Sequence, residues 1–338
     1  MTSHSHHQHA IAYSSKPGHL SDIVNSNGVR FAGWDFDGTI ANTERLHRVL
    51  CLAALRELCG HTIPKAAWHS KDFRSAFGLP SAETDMQLAV ALQRLHPTWF
   101  DNALKNALRQ GICGDSFRTV AQAIGQKRTE LFDYYQSKLS LTEPTLAGRP
   151  LKLQIPSSTK PVCRNEMERL ELLRPVSVDT YPFVKETIAL LHSMGVRQGV
   201  CTSSPRGFVT PLLKKLQLME SFQGLVFSDC VPHGAHKPNP YPWRLLKARL
   251  SGLTSQHAER ISTDDMIHFE NSPSGGLSAL RAGKGVTFIK ADNEASVVGK
   301  LQLKLLELQR LPTKETVPGR AVFVSCFGRL HDLDEAKE

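Results

Sequence analysis

The sequence predicts an α/β protein, a doubly wound parallel sheet with a helical cap domain inserted after its first strand. Three patterns carry this expectation. An apolar run from Val29 to Trp34, a turn containing Gly38 and a helical stripe (Leu46, Val49, Leu50, Ala53) form one strand–turn–helix unit. From about residue 183 short apolar runs alternate again with helical patterns, and between the two regions lies a long, mostly helical stretch. Alternating βα units imply parallel strands covered by helices on both faces.

In chain order, residues 1–28 read as a flexible, polar start that includes His4, His6, His7 and His9 and carries no assigned role. Residues 29–44 and 181–338 are expected to form the α/β core, and residues 45–180 the helical cap. Within the cap, Phe100, Leu104 and Leu108 fall on one stripe, as do Phe117, Val120, Ala121 and Ile124, and then Leu131, Tyr134 and Tyr135. The stretch 142–164, with Pro144, Pro150, Pro156 and Pro161, reads as an extra loop. In the core, Val184, Ile188 and Leu191 mark a helix, Gln198–Cys201 a strand, and Val209, Leu212, Leu213 and Leu216 another helix. Leu225–Ser228, Met266–Phe269, Val286–Lys290 and Ala321–Cys326 read as strands, with an insertion over about 291–320.

Composition narrows the class. The 338 residues supply enough apolar content for a sizeable core, and no run approaches the roughly 18 consecutive apolar residues that span a bilayer. The first twenty residues lack a basic segment followed by an apolar one, so no secretory signal is read and the cytoplasm is the expected compartment. Seven cysteines, odd in number and without zinc-ligand spacing, read as free thiols. A formal charge of +9 is spread along the chain without dense runs, which suits attraction of phosphorylated metabolites better than nucleic acid. Neither a nucleic-acid nor a membrane partner is expected, and the oligomeric state is left open.

In open α/β sheets the functional groups gather at the carboxyl ends of the strands. Four such ends carry polar residues: Asp35 with Asp37, Thr202 with Ser203, Lys237 in a proline-stiffened loop, and Glu270 with Asn271. Two carboxylates one residue apart repel unless a cation joins them, and a hard cation such as Mg2+ prefers oxygen ligands. One carboxylate can attack phosphorus, and the other can move a proton. Each segment also has a plainer reading: an Asp-rich helix cap, a Ser/Thr N-cap, a surface lysine, a capping loop.

Taken in order, the four segments resemble the haloacid dehalogenase superfamily, in its branch of phosphoglycolate phosphatase-like enzymes and β-phosphoglucomutase. Asp35-Phe36-Asp37-Gly38-Thr39 resembles that family's DxDGT motif, and Cys201-Thr202-Ser203-Ser204 its Thr/Ser motif. Lys237-Pro238-Asn239-Pro240 resembles its KPxP motif, and Phe269 to Gly283 its acidic motif and following helix. The resemblance implies a Rossmann-like core. It implies Asp35 as nucleophile and metal ligand, and Asp37 as acid/base with its carbonyl on the metal. Thr202, Ser203 and Lys237 would hold the phosphoryl group, and Glu270 and Asn271 would lie at a Mg2+ ion.

This chain departs from the pattern at Asn271, where the family usually has Asp, so one negative charge is lost and weaker metal binding is expected. Asn42 also replaces an acid common after the first motif, and the cap is longer than usual for the branch. Arg74, before a loop resembling the one that reaches the active site, and His47 are candidate substrate contacts. The expected function is a Mg2+-dependent phosphatase for a small phosphorylated metabolite, such as a sugar phosphate or phosphoglycolate. The alternatives are a sugar-phosphate mutase and a degenerate binding protein of the same fold.

Overall fold

The computed structural model describes residues 20–61, 70, 72–73, 81–139, 176, 178–290 and 319–324. It divides into two compact units, one of residues 1–41, 180–206 and 217–338, the other of residues 42–179 and 207–216.

The first unit opens with α1 (Leu20–Ser26), where a flexible start was expected. Leu20, Ile23 and Val24 recur at helical spacing and are buried, which is why this segment is ordered. The six strands of this unit are β1 (Phe31–Trp34), β2 (Arg197–Cys201), β3 (Gly224–Val226), β4 (Met266–Glu270), β5 (Val286–Lys290) and β6 (Arg320–Val324). They lie in the order β3-β2-β1-β4-β5-β6, every pair parallel. The doubly wound sheet read from the sequence is therefore observed, and its order reverses between β1 and β4. Such a switch point opens a crevice at the carboxyl ends of the strands.

Central strands covered on both faces are rich in apolar residues, and β1, β4 and β5 are buried at every residue. Register places Trp34 beside Phe269 and Phe269 beside Phe288. The three rings stack in series, with centroids 3.8 and 5.4 Å apart. Trp34 Nε1 donates to Gln198 Oε1 (3.1 Å) and Gln198 Nε2 to Ile188 O (2.8 Å), so this buried amide bridges β1 and the helix before β2.

Among the described residues, the second unit includes α2 (Glu44–Cys59), α3 (Ser81–Leu95), α4 (Pro97–Arg109) and α5 (Ser116–Leu139). Helix α2 buries Leu46, Leu50, Ala54 and Leu58, and ends at Gly60, whose left-handed φ of 70° lets its N–H close on Arg56 O. The stripe expected on α4 turns by one residue. Phe100, Ala103 and Ala107 are buried, while Leu108 is 50% exposed, because the small alanines allow α4 to approach its neighbours closely. On α5, Val120, Ala121 and Ile124 are buried as expected, whereas Phe117 at the helix start is 36% exposed.

The remaining helices are α6 (Val184–Ser193), α7 (Arg206–Lys215), α8 (Tyr241–Leu250) and α9 (Pro273–Ala282). Most of α7, placed in the α/β core from sequence, groups with the helical unit. Phe208 stacks there on His47 and meets Phe132 at a tilt, each at 4.3 Å between ring centroids. The expected extra loop at 142–164 and most of the insertion at 291–320 lie outside the described residues.

Candidate active site

Four strand ends build the site. The Asp35 N–H donates to Phe269 O (2.9 Å), continuing the β1–β4 ladder one residue and fixing Asp35 at the end of β1. The chain then turns sharply. Ile40 and Ala41 N–H groups return to Phe36 O, each at 3.0 Å, and Gly38 donates to Ala41 O (2.9 Å). Gly38 has φ of 80°, a conformation that a side chain disfavours. The turn thereby sets Asp35 and Asp37 on the same strand end.

Asp37 meets the end of β2. Thr202 Oγ1 donates to Asp37 Oδ2 at 3.1 Å and Ser204 Oγ to the same oxygen at 2.6 Å. The Ser204 N–H in turn donates to Thr202 Oγ1 (3.0 Å). The second hydroxyl on Asp37 is thus that of Ser204, to which the sequence reading assigned no role. The run Thr202-Ser203-Ser204 announces hydroxyls at this strand end, but only the curvature of the loop decides which of them faces Asp37.

Lys237 is the centre of charge. Its ammonium donates to Asp35 Oδ1 (2.8 Å), Glu270 Oε1 (2.5 Å) and Cys201 O (2.8 Å), and lies 4.7 Å from the centroid of the Trp243 ring. Lys237 and Glu270 are buried, so the plainer reading of a surface lysine is overturned. The loop carrying Lys237 is tied to α9: Ser278 Oγ donates to Asn239 O (2.5 Å) and Arg281 Nη1 to Pro238 O (3.2 Å).

Glu270 Oε2 accepts from the N–H groups of Asn271 (3.2 Å) and Ser272 (3.5 Å) and from Ser272 Oγ (3.3 Å). Ser272 caps α9 by accepting from Gly275 N (3.0 Å). A Cβ on Gly275 would fall 2.0 Å from Glu270 Oε1, so this helix position must be glycine for the carboxylate to fit. Asn271 Oδ1 accepts from Thr39 Oγ1 (3.3 Å), linking the fourth segment to the first.

The electrostatics show crowding of negative charge. Burial first, then the Glu270 carboxylate, push the Asp35 carboxyl well above its ordinary range. Lys237 pulls it down without prevailing, and Asp37 adds a smaller push upward. Burial also works against the Lys237 ammonium, but Asp35 and Glu270 outweigh it and keep this lysine charged.

A further cation fits this donor set, since the oxygens of Asp35, Glu270 and Asn271 are hard ligands and added positive charge would relieve the strain on Asp35. Among the described residues no three His, Cys, Asp or Glu side chains already form a metal-holding cluster. A Mg2+ ion here would draw on an amide, a backbone carbonyl and water besides carboxylates.

The structure thus brings Asp35, Asp37, Thr202, Lys237, Glu270 and Asn271 together. His47 lies in the helical unit on α2, its ring against Phe208. Arg74 lies outside the described residues. Lys290 was missed by the sequence reading. It is buried at the end of β5, its ammonium 3.5 Å from Gly38 O and 3.4 Å from the centroid of the Tyr181 ring. A charged residue closing an otherwise apolar strand was the available signal.

The profile of the haloacid dehalogenase-like hydrolases matches residues 30–283, most of the chain. The chain belongs to that family. This haloacid dehalogenase-like hydrolase is 26% identical over 172 residues to a phosphorylated carbohydrates phosphatase of Thermotoga maritima, covering 50% of this chain and 73% of that one. It is 34% identical over 76 residues to a phosphoglycolate phosphatase of Salmonella typhimurium, covering 22% of this chain. The match spans 29% of that enzyme's length. In fold it resembles a β-phosphoglucomutase-like protein from Thermotoga maritima, with TM-score 0.50 and 17% identity, over 91% of this chain and all of that one.

Proposed function

We propose that this hydrolase is a phosphatase that cleaves a phosphomonoester of a small metabolite, such as a sugar phosphate or phosphoglycolate, through a covalent aspartyl-phosphate on Asp35. The observation that carries the reading is the buried Asp35 carboxylate, held at 2.8 Å by Lys237 beside a second carboxylate, Asp37, that is fixed by two hydroxyls. The phosphatase names of the matched relatives agree with it.

In the first step an Asp35 carboxylate oxygen attacks phosphorus, the ester P–O bond breaks, and the Asp37 carboxyl gives its proton to the leaving oxygen. Thr202 and Ser204 both donate to Oδ2 of Asp37 and hold this carboxyl in place. Asp37, now a carboxylate, takes a proton from water. The resulting hydroxide attacks phosphorus, the Asp35–phosphorus bond breaks, and phosphate leaves. Lys237 neutralises charge on Asp35 and on the phosphoryl oxygens, and Thr202 and Ser203, just after β2, hold the phosphoryl group. Mg2+ would be held by Asp35, the Asp37 carbonyl, Glu270 and Asn271, and would supply positive charge to the transferring group. An acid at position 37 favours phosphate esters, because a leaving halide needs no proton.

A cytoplasmic setting is part of this proposal. The described cysteines, Cys51, Cys59, Cys113, Cys201 and Cys230, form no disulfide, which suits a reducing compartment. No helix among the described residues is long and apolar enough to cross a membrane.

The test is phosphate release from an aryl phosphate and a panel of small phosphorylated metabolites, with and without Mg2+, for wild type and Asp35→Asn. Metal-dependent release that disappears in Asp35→Asn is the expected result. Conversion of a sugar phosphate into its isomer without phosphate release would move the assignment to a mutase. No turnover of any substrate would leave a binding role.

A further inference from the structure

The Asn271 amide stands beside a buried lysine, Lys290, at the end of the site where a cation would sit. The β4–β5 register pairs His268 with Thr287, Phe269 with Phe288 and Glu270 with Ile289, so Asn271 and Lys290 are the next residues along two neighbouring strands. Both residues meet the turn that follows Asp35. Lys290 Nζ approaches Gly38 O at 3.5 Å, and Asn271 Oδ1 accepts from Thr39 Oγ1 at 3.3 Å. Lys290 is 5% exposed, and its ammonium lies on the Tyr181 ring. That burial denies it a role as a substrate contact and fixes its charge in place. Tyr181 is itself held against the same turn, its N–H donating to Ile40 O at 3.0 Å.

We propose that Lys290 is a fixed internal cation that sets the divalent-metal affinity of this site, acting with Asn271 to keep that affinity low. The inference rests on the metal-binding reading given above. A neutral amide removes one negative charge from the donor set, and a buried ammonium across the strand adds one positive charge. Both changes raise the free energy of a divalent ion in the same place, where low solvent access makes charges felt more strongly than in water. Lys290 is a positioning residue in this scheme. It bonds neither substrate nor metal and acts through the potential at the turn carrying Asp37.

The probe is Mn2+, whose free concentration is read by electron paramagnetic resonance in titrations of the full chain, so the readout does not depend on turnover. Lys290→Gln keeps a donor for Gly38 O and removes the charge, Lys290→Met removes both, and Lys290→Arg restores the charge. Both neutral variants are expected to bind Mn2+ about tenfold or more tightly than wild type, while Lys290→Arg stays near wild type. Asn271→Asp is expected to tighten binding as well. Circular dichroism and melting identify any variant that does not fold, and Lys290→Gln stands if Lys290→Met is lost. Unchanged or weaker Mn2+ binding in the folded neutral variants overturns the role of Lys290 and leaves the metal site intact. Absence of Mn2+ binding in wild type and in Asn271→Asp alike overturns both this inference and the metal-binding reading beneath it.

Discussion

Gly275→Ala places one methyl group where the structure has no room for it. The new Cβ would lie 2.0–2.2 Å from three atoms of the Glu270 carboxylate, far inside contact distance, so the carboxylate must move or α9 must shift. Glu270 is fully buried and bonded to Lys237, Asn271 N and Ser272, so moving it separates a buried ion pair. Breaking such a pair costs about 3–5 kcal/mol, and displacing a site group by an ångström costs roughly a hundredfold in turnover.

The natural control is the same change at another helix start. A Cβ on Gly207 of α7 meets nothing within 4 Å. Gly207→Ala is therefore expected to be neutral or to stabilise by up to about 1 kcal/mol through helix propensity. Urea unfolding and phosphate release for the two variants check the contrast. If Gly275→Ala proves as stable and as active as Gly207→Ala, the Glu270 carboxylate does not sit where it is described, and the charge arrangement built on it fails.

Lys237→Met leaves Asp35 and Glu270 buried without their shared cation, and is expected to lose about 3–5 kcal/mol of stability. The loss should grow as pH rises, because the Asp35 carboxyl is already pushed upward and takes up a proton as pH falls, and melting across a pH series checks it. Ser204→Ala removes the 2.6 Å donor to Asp37. Its expected signature is roughly a tenfold fall in kcat with little change in KM, together with about 1.5–3 kcal/mol of lost stability, the usual range for a bond to a charged group. His268, buried in the middle of β4, has its imidazole pushed down to about 3 from 6.5, first by burial. The folded form keeps it neutral while the unfolded chain takes up a proton below 6.5. Its contribution to stability is therefore present at neutral pH and lost as pH falls, by about 2 kcal/mol at pH 5. The difference in unfolding free energy between wild type and His268→Gln, followed from pH 7.5 to pH 5, should show that slope, and parallel curves would refute it.

The sheet was legible because β1, β4 and β5 are short apolar runs closed by polar residues, a pattern that a strand covered on both faces imposes directly. The site was legible for the same reason, as Asp35, Thr202 and Glu270 each stand at the end of such a run. Less was visible where three-dimensional curvature decides between neighbours. Ser203 and Ser204 have the same chemistry, and the turn after β2 alone selects Ser204 for Asp37. Lys290 looked like the end of a strand, because nothing local says that β5 lies beside β4 or that its last residue reaches the turn after Asp35. The stripe on α4 failed at Leu108 because counting large side chains overlooks the two alanines that bring that helix close to its neighbours.

Helix α9 grips two parts of the site at once. Its first turn is capped by Ser272, which also holds Glu270, and further along Ser278 and Arg281 hold the loop that carries Lys237. The acid at the end of β4 and a lysine 33 residues away in the chain therefore share one helix as their frame, and Asp35 is tied to the same strand through Phe269 O.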